Sequence, residues 1–215
     1  SFYNQRQKAL VTFDKVLEQD ETFGIGMNGE ISAVTFGLYA QEDITAADGS
    51  VIPADGLLEI VSVKENGQAV CSTDLPFGSF YLKELSTDNR YLLNGETFPF
   101  TFEYGGPSVA VVEISANDGE AVTNELICGE IKGLKTDENG TGLGGAVIGL
   151  FKSDETEFAA ENALATATSA EDGSFSFAGV PYGNWVLKEL ESPEGFILSD
   201  EVIPVTVEED GQVVE

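Results

Sequence analysis

Lysine and glutamate side chains lie where the sequence predicts the inside of a β-sheet, and there a glutamate could help a lysine to form a covalent bond. Successive side chains of a strand point to opposite faces, so Lys15 shares the apolar face of Val11 and Phe13. Glu84 follows Leu82 on the apolar face of another predicted strand. These placements are unusual, because lysine and glutamate are seldom fully buried unless paired.

The same pattern occurs a second time further along the chain. Lys135 shares a face with Ile131, and Glu189 shares a face with Leu187. Asn124 is a third polar residue at the end of an apolar strand face. The recurrence of both lysine and glutamate favours a common role over chance.

Burial gives these groups a specific chemistry, since it disfavours the charged forms of an amine and a carboxylic acid. We therefore expect Lys15 and Glu84 to be uncharged in the folded chain before they react. A neutral amine is a nucleophile, and a neutral carboxylic acid can hydrogen-bond the Asn124 carbonyl and shuttle protons. Attack of Lys15 on the Asn124 amide would expel ammonia and leave a Lys–Asn isopeptide bond.

Two simpler interpretations of these residues stay open at this point. The polar residues could lie at strand ends, where the alternation leads out to solvent. Each lysine and glutamate could also form a buried ion pair, which stabilises a fold little after the cost of desolvation.

Composition narrows the possible functions. The 215 residues include 38 Asp and Glu, 10 Lys and Arg and no His, which gives a net charge of −28. Such a polyanion is repelled by nucleic acid and anionic lipid, and the lack of His removes the usual general base and every His-ligated metal site. We predict no cofactor and no metal; Asp137-Glu138-Asn139-Gly140 fits a hairpin turn better than a calcium loop. No apolar run approaches the ~20 residues that cross a bilayer.

The elements that must position these residues are predicted to be strands. Asn-Gly and Asp-Gly pairs, which suit tight hairpin turns, recur along the chain, for example at 66–67, 139–140 and 172–173. Short alternating runs lie between them, and only Glu155 to Ala163 has some helical character. The pattern predicts an all-β protein built of small sandwiches.

An internal repeat predicts two modules. The segment from Leu75 to Leu85 (LPFGSFYLKEL) reappears from Val180 to Leu190 as VPYGNWVLKEL, and other pairs follow in the same order. We predict a first module at residues 1–126 and a second at 127–215, whose final strand is incomplete. Asn4 precedes Lys15 by as many positions as Asn124 precedes Lys135. Residues 1–8 could thus be the tail of a preceding module, and the chain would then be a fragment of a longer tandem array of modules.

Three motifs in a fixed order carry a family resemblance. They are the first-strand lysine (Val11-Thr12-Phe13-Asp14-Lys15 and Ile131-Lys132-Gly133-Leu134-Lys135), the glutamate strand (Phe80-Tyr81-Leu82-Lys83-Glu84, and more fully the run from Trp185 to Phe196) and a closing asparagine (Val122-Thr123-Asn124-Glu125). At these residues the sequence resembles the Cna B-type, or SpaA-like, domains of Gram-positive surface proteins and pilins. The resemblance covers nearly the whole chain and implies two tandem Ig-like or prealbumin-like β-sandwich modules.

The resemblance also implies roles for individual residues. Lys15 and Asn124 would be the cross-linked pair and Glu84 the catalytic acid, with Glu189 as its counterpart. The first module departs from the family in having Thr87-Asp88-Asn89-Arg90-Tyr91 where a Pro-x-Gly sequence is expected. The second module has Lys135 but no visible acceptor, which we expect beyond the end of the chain.

The function that follows is mechanical. The chain is predicted to be a stalk or shaft segment of a bacterial surface adhesin or pilin, extracellular and attached to the cell wall. Its partners would be neighbouring modules of the same protein. The glutamate would act once, in autocatalytic maturation, so no turnover enzyme is expected.

An alternative from another class is an adhesin module that recognises host protein or glycan. The insertion from Val16 to Ser32, absent from the second module, is where its site would lie. A hydrolytic enzyme ranks third, because the chain lacks His and clustered pocket carboxylates. Cys71 and Cys128 could form at most one disulfide, although the alignment of Cys71 with the solvent-side Ser176 predicts an accessible thiol.

Overall fold

The computed structural model describes residues 2–45 and 48–215, and strands make up almost all of its regular structure. This confirms the predicted all-β class. The chain divides into two compact units: unit 1 comprises Ser1–Gln19 and Gly24–Glu125, and unit 2 comprises Asp20–Phe23 and Leu126–Glu215.

Unit 1 contains two main sheets and one short hairpin. Its strands are β1 (Lys8–Leu17), β2 (Thr35–Ala40), β3 (Ile44–Thr45), β4 (Val51–Ile52), β5 (Leu57–Ser62), β6 (Gln68–Val70), β7 (Gly78–Ser86), β8 (Thr97–Phe102), β9 (Val111–Ser115) and β10 (Val122–Asn124). The first sheet has the order β10-β1-β6, with β9 also paired to β1. The second has the order β5-β2-β7-β8, and β3 pairs with β4.

Unit 2 has the same order of corresponding strands. Its strands are β11 (Cys128–Leu134), β12 (Val147–Lys152), β13 (Ala165–Thr168), β14 (Ser174–Pro181), β15 (Gly183–Glu191), β16 (Val202–Val207) and β17 (Val213–Val214). One sheet runs β14-β11-β17 and the other β13-β12-β15-β16. The strands β11 and β15 therefore take the places that β1 and β7 hold in unit 1.

Apolar side chains from both sheets form the core of each unit. In unit 1 the rings of Phe13 on β1 and Phe36 on β2 meet edge to face, with centroids 4.7 Å apart. In unit 2 the buried cluster includes Ile131 and Phe177 from one sheet and Leu150 and Leu187 from the other. This two-layer packing is what the alternating sequence pattern requires, since each strand can hide only one face.

Helical structure in the described residues is limited to single 3-10 turns at Glu30–Ala33, Ala116–Gly119 and Ala160–Asn162. The weak helical pattern at Glu155–Ala163 thus yields one turn. No helix in the described part of the chain is long and apolar enough to cross a membrane.

The loop at Asp137 is a hairpin turn, as predicted. The Asp137 carboxylate accepts hydrogen bonds from the backbone N–H groups of Asn139 and Thr141, both at 2.8 Å. A bridge between Thr136 and Gly142 closes the turn.

The prediction of an accessible Cys71 is wrong. Thr12 pairs with Val70, whereas Lys132 pairs with Ser176, so Val70 and not Cys71 is the counterpart of Ser176. This shift of one residue turns Cys71 to the apolar face, where it is a buried free thiol. Desolvation, with a smaller effect from the charge of Glu59, raises the pKa of Cys71 to about 12.

Candidate functional site

Three strands of unit 1 bring Lys15, Glu84 and Asn124 together in its core. β1 and β10 run parallel with Lys15 beside Val122 and Leu17 beside Asn124. Because side chains alternate, Lys15 and Asn124 point to the same, inner face of this sheet. Glu84 reaches the same point from β7 in the facing sheet.

A tight turn fixes the backbone of Lys15. The Lys15 N–H donates to the Gly67 carbonyl over 2.7 Å. Gly67 has φ of 83°, and a Cβ atom there would lie 2.6 Å from the Lys15 carbonyl oxygen. A glycine is therefore required at position 67, both by its positive φ and by the close approach of the Lys15 carbonyl oxygen.

Every polar atom of the Asn124 side-chain amide has a hydrogen-bond partner. Its Nδ2 donates to Glu84 Oε2 at 2.8 Å and to the Leu92 carbonyl at 2.7 Å. Its Oδ1 accepts a hydrogen bond from Lys15 Nζ. Since both amide N–H groups are used, the carbonyl side of the amide faces the amine.

Lys15 and Glu84 are among the most deeply buried side chains, each with 1% of its surface exposed. Lys15 Nζ lies 3.8 Å from Glu84 Oε1. Glu84 Oε2 also accepts from the Asn94 backbone N–H at 2.6 Å, whereas Oε1 has no hydrogen-bond partner in the described structure. Oε2 thus accepts hydrogen bonds from neutral donors, whereas Oε1 faces the amine of Lys15.

Desolvation dominates the electrostatics of Lys15. Burial lowers its pKa to about 8, although the charge of the nearby Glu84 acts in the opposite direction. At pH 7 about one-tenth of such an amine is neutral, against about four in ten thousand at the ordinary pKa near 10.4. The site therefore supplies a nucleophile at neutral pH.

Unit 2 contains a corresponding pair but lacks the third member. Lys135 Nζ lies 3.7 Å from Glu189 Oε1, and Glu189 Oε2 accepts from the Ser199 backbone N–H at 2.7 Å. A cavity of about 390 Å³ opens beside these two side chains. Among the described residues no Asn or Asp side chain bonds to either of them.

Within the predicted insertion from Val16 to Ser32, Asp20–Phe23 belongs to unit 2, and a buried carboxylate holds the part from Gly26 to Glu30 in unit 1. Glu30 accepts hydrogen bonds from the backbone N–H groups of Gly26 and Asn28, at 3.0 and 2.6 Å. Arg90 lies 3.4 Å from the same carboxylate. This segment therefore has an internal structural role.

The sequence did not predict Leu92 and Asn94, because they contact Asn124 and Glu84 through backbone atoms. Such contacts do not depend on the type of side chain. The only available signal was the departure from the family pattern at 87–91. The described residues contain no cluster of His, Cys, Asp and Glu that could hold a metal ion.

Comparisons with known proteins agree with this architecture. Residues 129–215 match the SpaA family model, a prealbumin-like fold domain. No curated protein matches the chain in sequence.

Two solved structures resemble the chain over nearly its full length. The TIE protein of Bacillus anthracis has a TM-score of 0.64 and 18% identity, over 97% of this chain and 33% of that one. The C-terminal fragment of the pilus adhesin SpaC from Lactobacillus rhamnosus GG has a TM-score of 0.55 and 14% identity, over 96% and 84% of the two chains. The chain thus spans about a third of the TIE structure, and identities this low show a shared fold alone. The predicted resemblance to SpaA-like domains is confirmed, since residues 129–215 match the model of that family.

Proposed function

We propose that this chain is a structural segment of a surface adhesin or pilus subunit, in which unit 1 is tied by an autocatalytic isopeptide bond between Lys15 and Asn124. The observation that carries the proposal is the buried contact of an amine, an amide and a carboxylic acid. Nothing else in the described fold requires these three polar groups in one core.

The reaction is balanced by the three side chains alone. The Lys15 ammonium passes a proton to Glu84 Oε1, which leaves a neutral amine and a neutral carboxylic acid. The amine then attacks Cγ of Asn124, the C–N bond to Nδ2 breaks as Glu84 donates its proton to that nitrogen, and Nζ gives up its extra proton to the Glu84 carboxylate. One amide bond forms, one breaks, and one ammonia leaves.

Such a bond suits a load-bearing role. Lys15 lies on β1 and Asn124 on β10, the first and last strands of unit 1. A force that separates these strands would act on a covalent bond instead of on hydrogen bonds. Glu84 would act once per chain, so the protein would not turn over a substrate.

The setting that fits this role is the bacterial cell surface. One of the similar folds is a fragment of a pilus adhesin, which supports an extracellular, cell-wall-attached location and neighbouring modules as partners. Host matrix or glycan as a further partner belongs to the alternative function, for which a cavity of about 340 Å³ at the Val16–Ser32 segment is the candidate site.

The intact mass of the purified chain tests the proposal. We expect a mass lower than that of the sequence by one ammonia, and the full mass in Lys15→Ala. Lys135→Ala should keep the deficit of one ammonia, because no Asn or Asp side chain contacts Lys135 in the described residues. A full-mass wild-type chain would refute the cross-link, and a deficit of two would refute our assignment of unit 2.

The rate of ammonia loss should depend on pH through Lys15. The reaction needs one proton on the Lys15–Glu84 pair, because the amine must be neutral while Glu84 holds a proton to donate. The pair loses this proton as the pH rises through the Lys15 pKa of about 8, so the rate should stay level below pH 8 and fall about tenfold per pH unit above it. Chain from rapid cell-free synthesis, quenched in acidic guanidinium chloride, can be refolded at pH 5.5 to 9 and followed by intact mass. A rate that keeps rising between pH 7 and pH 9 would contradict the assignment of Glu84 as the proton donor.

A further inference from the structure

One short segment contacts both side chains that must be aligned with Lys15. Residues 88–94, between β7 and β8, are called the strap below. The Leu92 carbonyl accepts from Asn124 Nδ2 at 2.7 Å, and the Asn94 N–H donates to Glu84 Oε2 at 2.6 Å. The strap thus holds the amide and the carboxylic acid from the same side.

The strap also fixes the backbone of the acceptor strand around Asn124. The Leu92 N–H donates to the carbonyl of Glu125 at 2.9 Å. The Asn94 side chain donates to the carbonyl of Thr123 at 3.2 Å. Because these bonds lie on both sides of Asn124, β10 cannot slide without breaking them.

The other end of the strap is anchored to the body of unit 1. Arg90 pairs with Asp88 at 2.7 Å and lies 3.4 Å from the buried Glu30. The buried Tyr91 hydroxyl donates to the Glu18 carbonyl at 2.8 Å. These contacts lie in the segment that replaces the expected Pro-x-Gly sequence.

Unit 2 repeats one of these contacts independently. The Ser199 N–H donates to Glu189 Oε2 at 2.7 Å, and in both units the donor follows the glutamate by ten residues. In both units Oε1 is left without a hydrogen-bond partner and faces the lysine, at 3.8 Å in unit 1 and 3.7 Å in unit 2. The shared geometry indicates a selected orientation of the carboxyl group.

This orientation bears directly on proton transfer. A backbone N–H can only donate, so the oxygen that it contacts must act as an acceptor. A proton taken from the lysine is therefore directed to Oε1. The Leu92 carbonyl likewise can only accept, which fixes Nδ2 of Asn124 towards the strap and its carbonyl towards the amine.

We propose that the strap is the positioning element of the cross-linking reaction, with the Asn94 N–H selecting the protonated oxygen of Glu84 and the Leu92 carbonyl setting the orientation of the Asn124 amide. This rests on the proposed function. Asn94 and Leu92 are positioning residues, since the transferred atoms belong to other side chains.

Substitutions at Asn94 separate its backbone from its side chain. Asn94→Pro removes the N–H, whereas Asn94→Ala keeps it and loses only the side-chain bonds to Thr123 and Glu96. We expect ammonia loss after refolding to slow at least about tenfold in Asn94→Pro and to stay within about threefold of wild type in Asn94→Ala, since hydrogen bonds to charged groups are the stronger ones. Ser199→Pro, the matched change in unit 2, should leave the rate unchanged.

Stability is measured separately, so that weaker folding is not mistaken for lost positioning. Asn94→Pro and Asn94→Ala are each combined with Lys15→Met, which cannot cross-link, and their thermal unfolding is compared. If the Asn94→Pro chain does not fold, Arg90→Ala serves as the test, because it removes the contacts of Arg90 with Asp88 and Glu30. We expect ammonia loss in this variant to be about threefold slower than in wild type. A rate equal to that of wild type would overturn the proposal.

The possible outcomes distinguish the two proposals. A wild-type chain that keeps its ammonia overturns the proposed function itself. If wild type loses ammonia and a folded Asn94→Pro chain loses it equally fast, the role of the strap is overturned but the cross-link is not. Equal slowing in Asn94→Ala and Asn94→Pro also overturns it, because the effect would then belong to the side chain.

Discussion

Glu84→Gln should leave unit 1 without its cross-link, so that the chain keeps its full sequence mass after a time at which wild type has lost one ammonia. Glutamine has the shape of the glutamate but cannot take the proton from Lys15 or return it to Nδ2. Loss of a general acid–base group typically slows a reaction by about 10²- to 10⁴-fold. Intact mass during refolding measures the rate.

This variant also distinguishes proton transfer from a simple charge effect. Glu84 raises the pKa of Lys15, so its removal increases the fraction of neutral amine. If Glu84 were only a counter-ion, Glu84→Gln would therefore react faster than wild type. Glu189→Gln, at the equivalent position of unit 2, is the matched control and should react at the wild-type rate.

The second large effect concerns stability. A bond between residues 109 positions apart removes loop-closure entropy from the unfolded chain, by analogy with a disulfide worth about 4–5 kcal/mol. Loss of this bond in Lys15→Met should lower the melting temperature of unit 1 by on the order of 20 °C. Methionine keeps the apolar volume of the lysine stem, which limits packing losses.

Calorimetry can follow this change, since two units are expected to give two transitions. Lys135→Met serves as the control, because it removes the matching lysine of unit 2 without a cross-link to lose. Equal melting temperatures for unit 1 in wild type and Lys15→Met would contradict a stabilising covalent tie.

Under mechanical pulling, wild type should also extend less than Lys15→Met, by roughly 370 Å for 109 extended residues.

Much of this site could be predicted from sequence because strand alternation has a fixed period. Once Val11 and Phe13 are assigned to the inside, Lys15 must follow them there, and Glu84 follows Leu82 by the same rule. The observed exposures of 1% for Lys15 and Glu84 agree with this argument. The all-β class likewise followed from short alternating runs between turn pairs.

Alignment of the two halves was less dependable, as Cys71 shows. A shift of one residue between the repeats changed its predicted face from the core to the solvent. The period of two makes any such shift decisive. Only the observed pairing of Thr12 with Val70 corrected it.

The sequence by itself determined which residues of unit 1 could react, because residue type and alternation are local properties. The tertiary structure decided how they are oriented. Glu84 and Asn124 are 40 positions apart, and the Leu92 and Asn94 backbone groups that hold them belong to a loop of irregular conformation. Hydrogen bonds made by backbone atoms carry no side-chain signature, so no pattern of residue types could have located them.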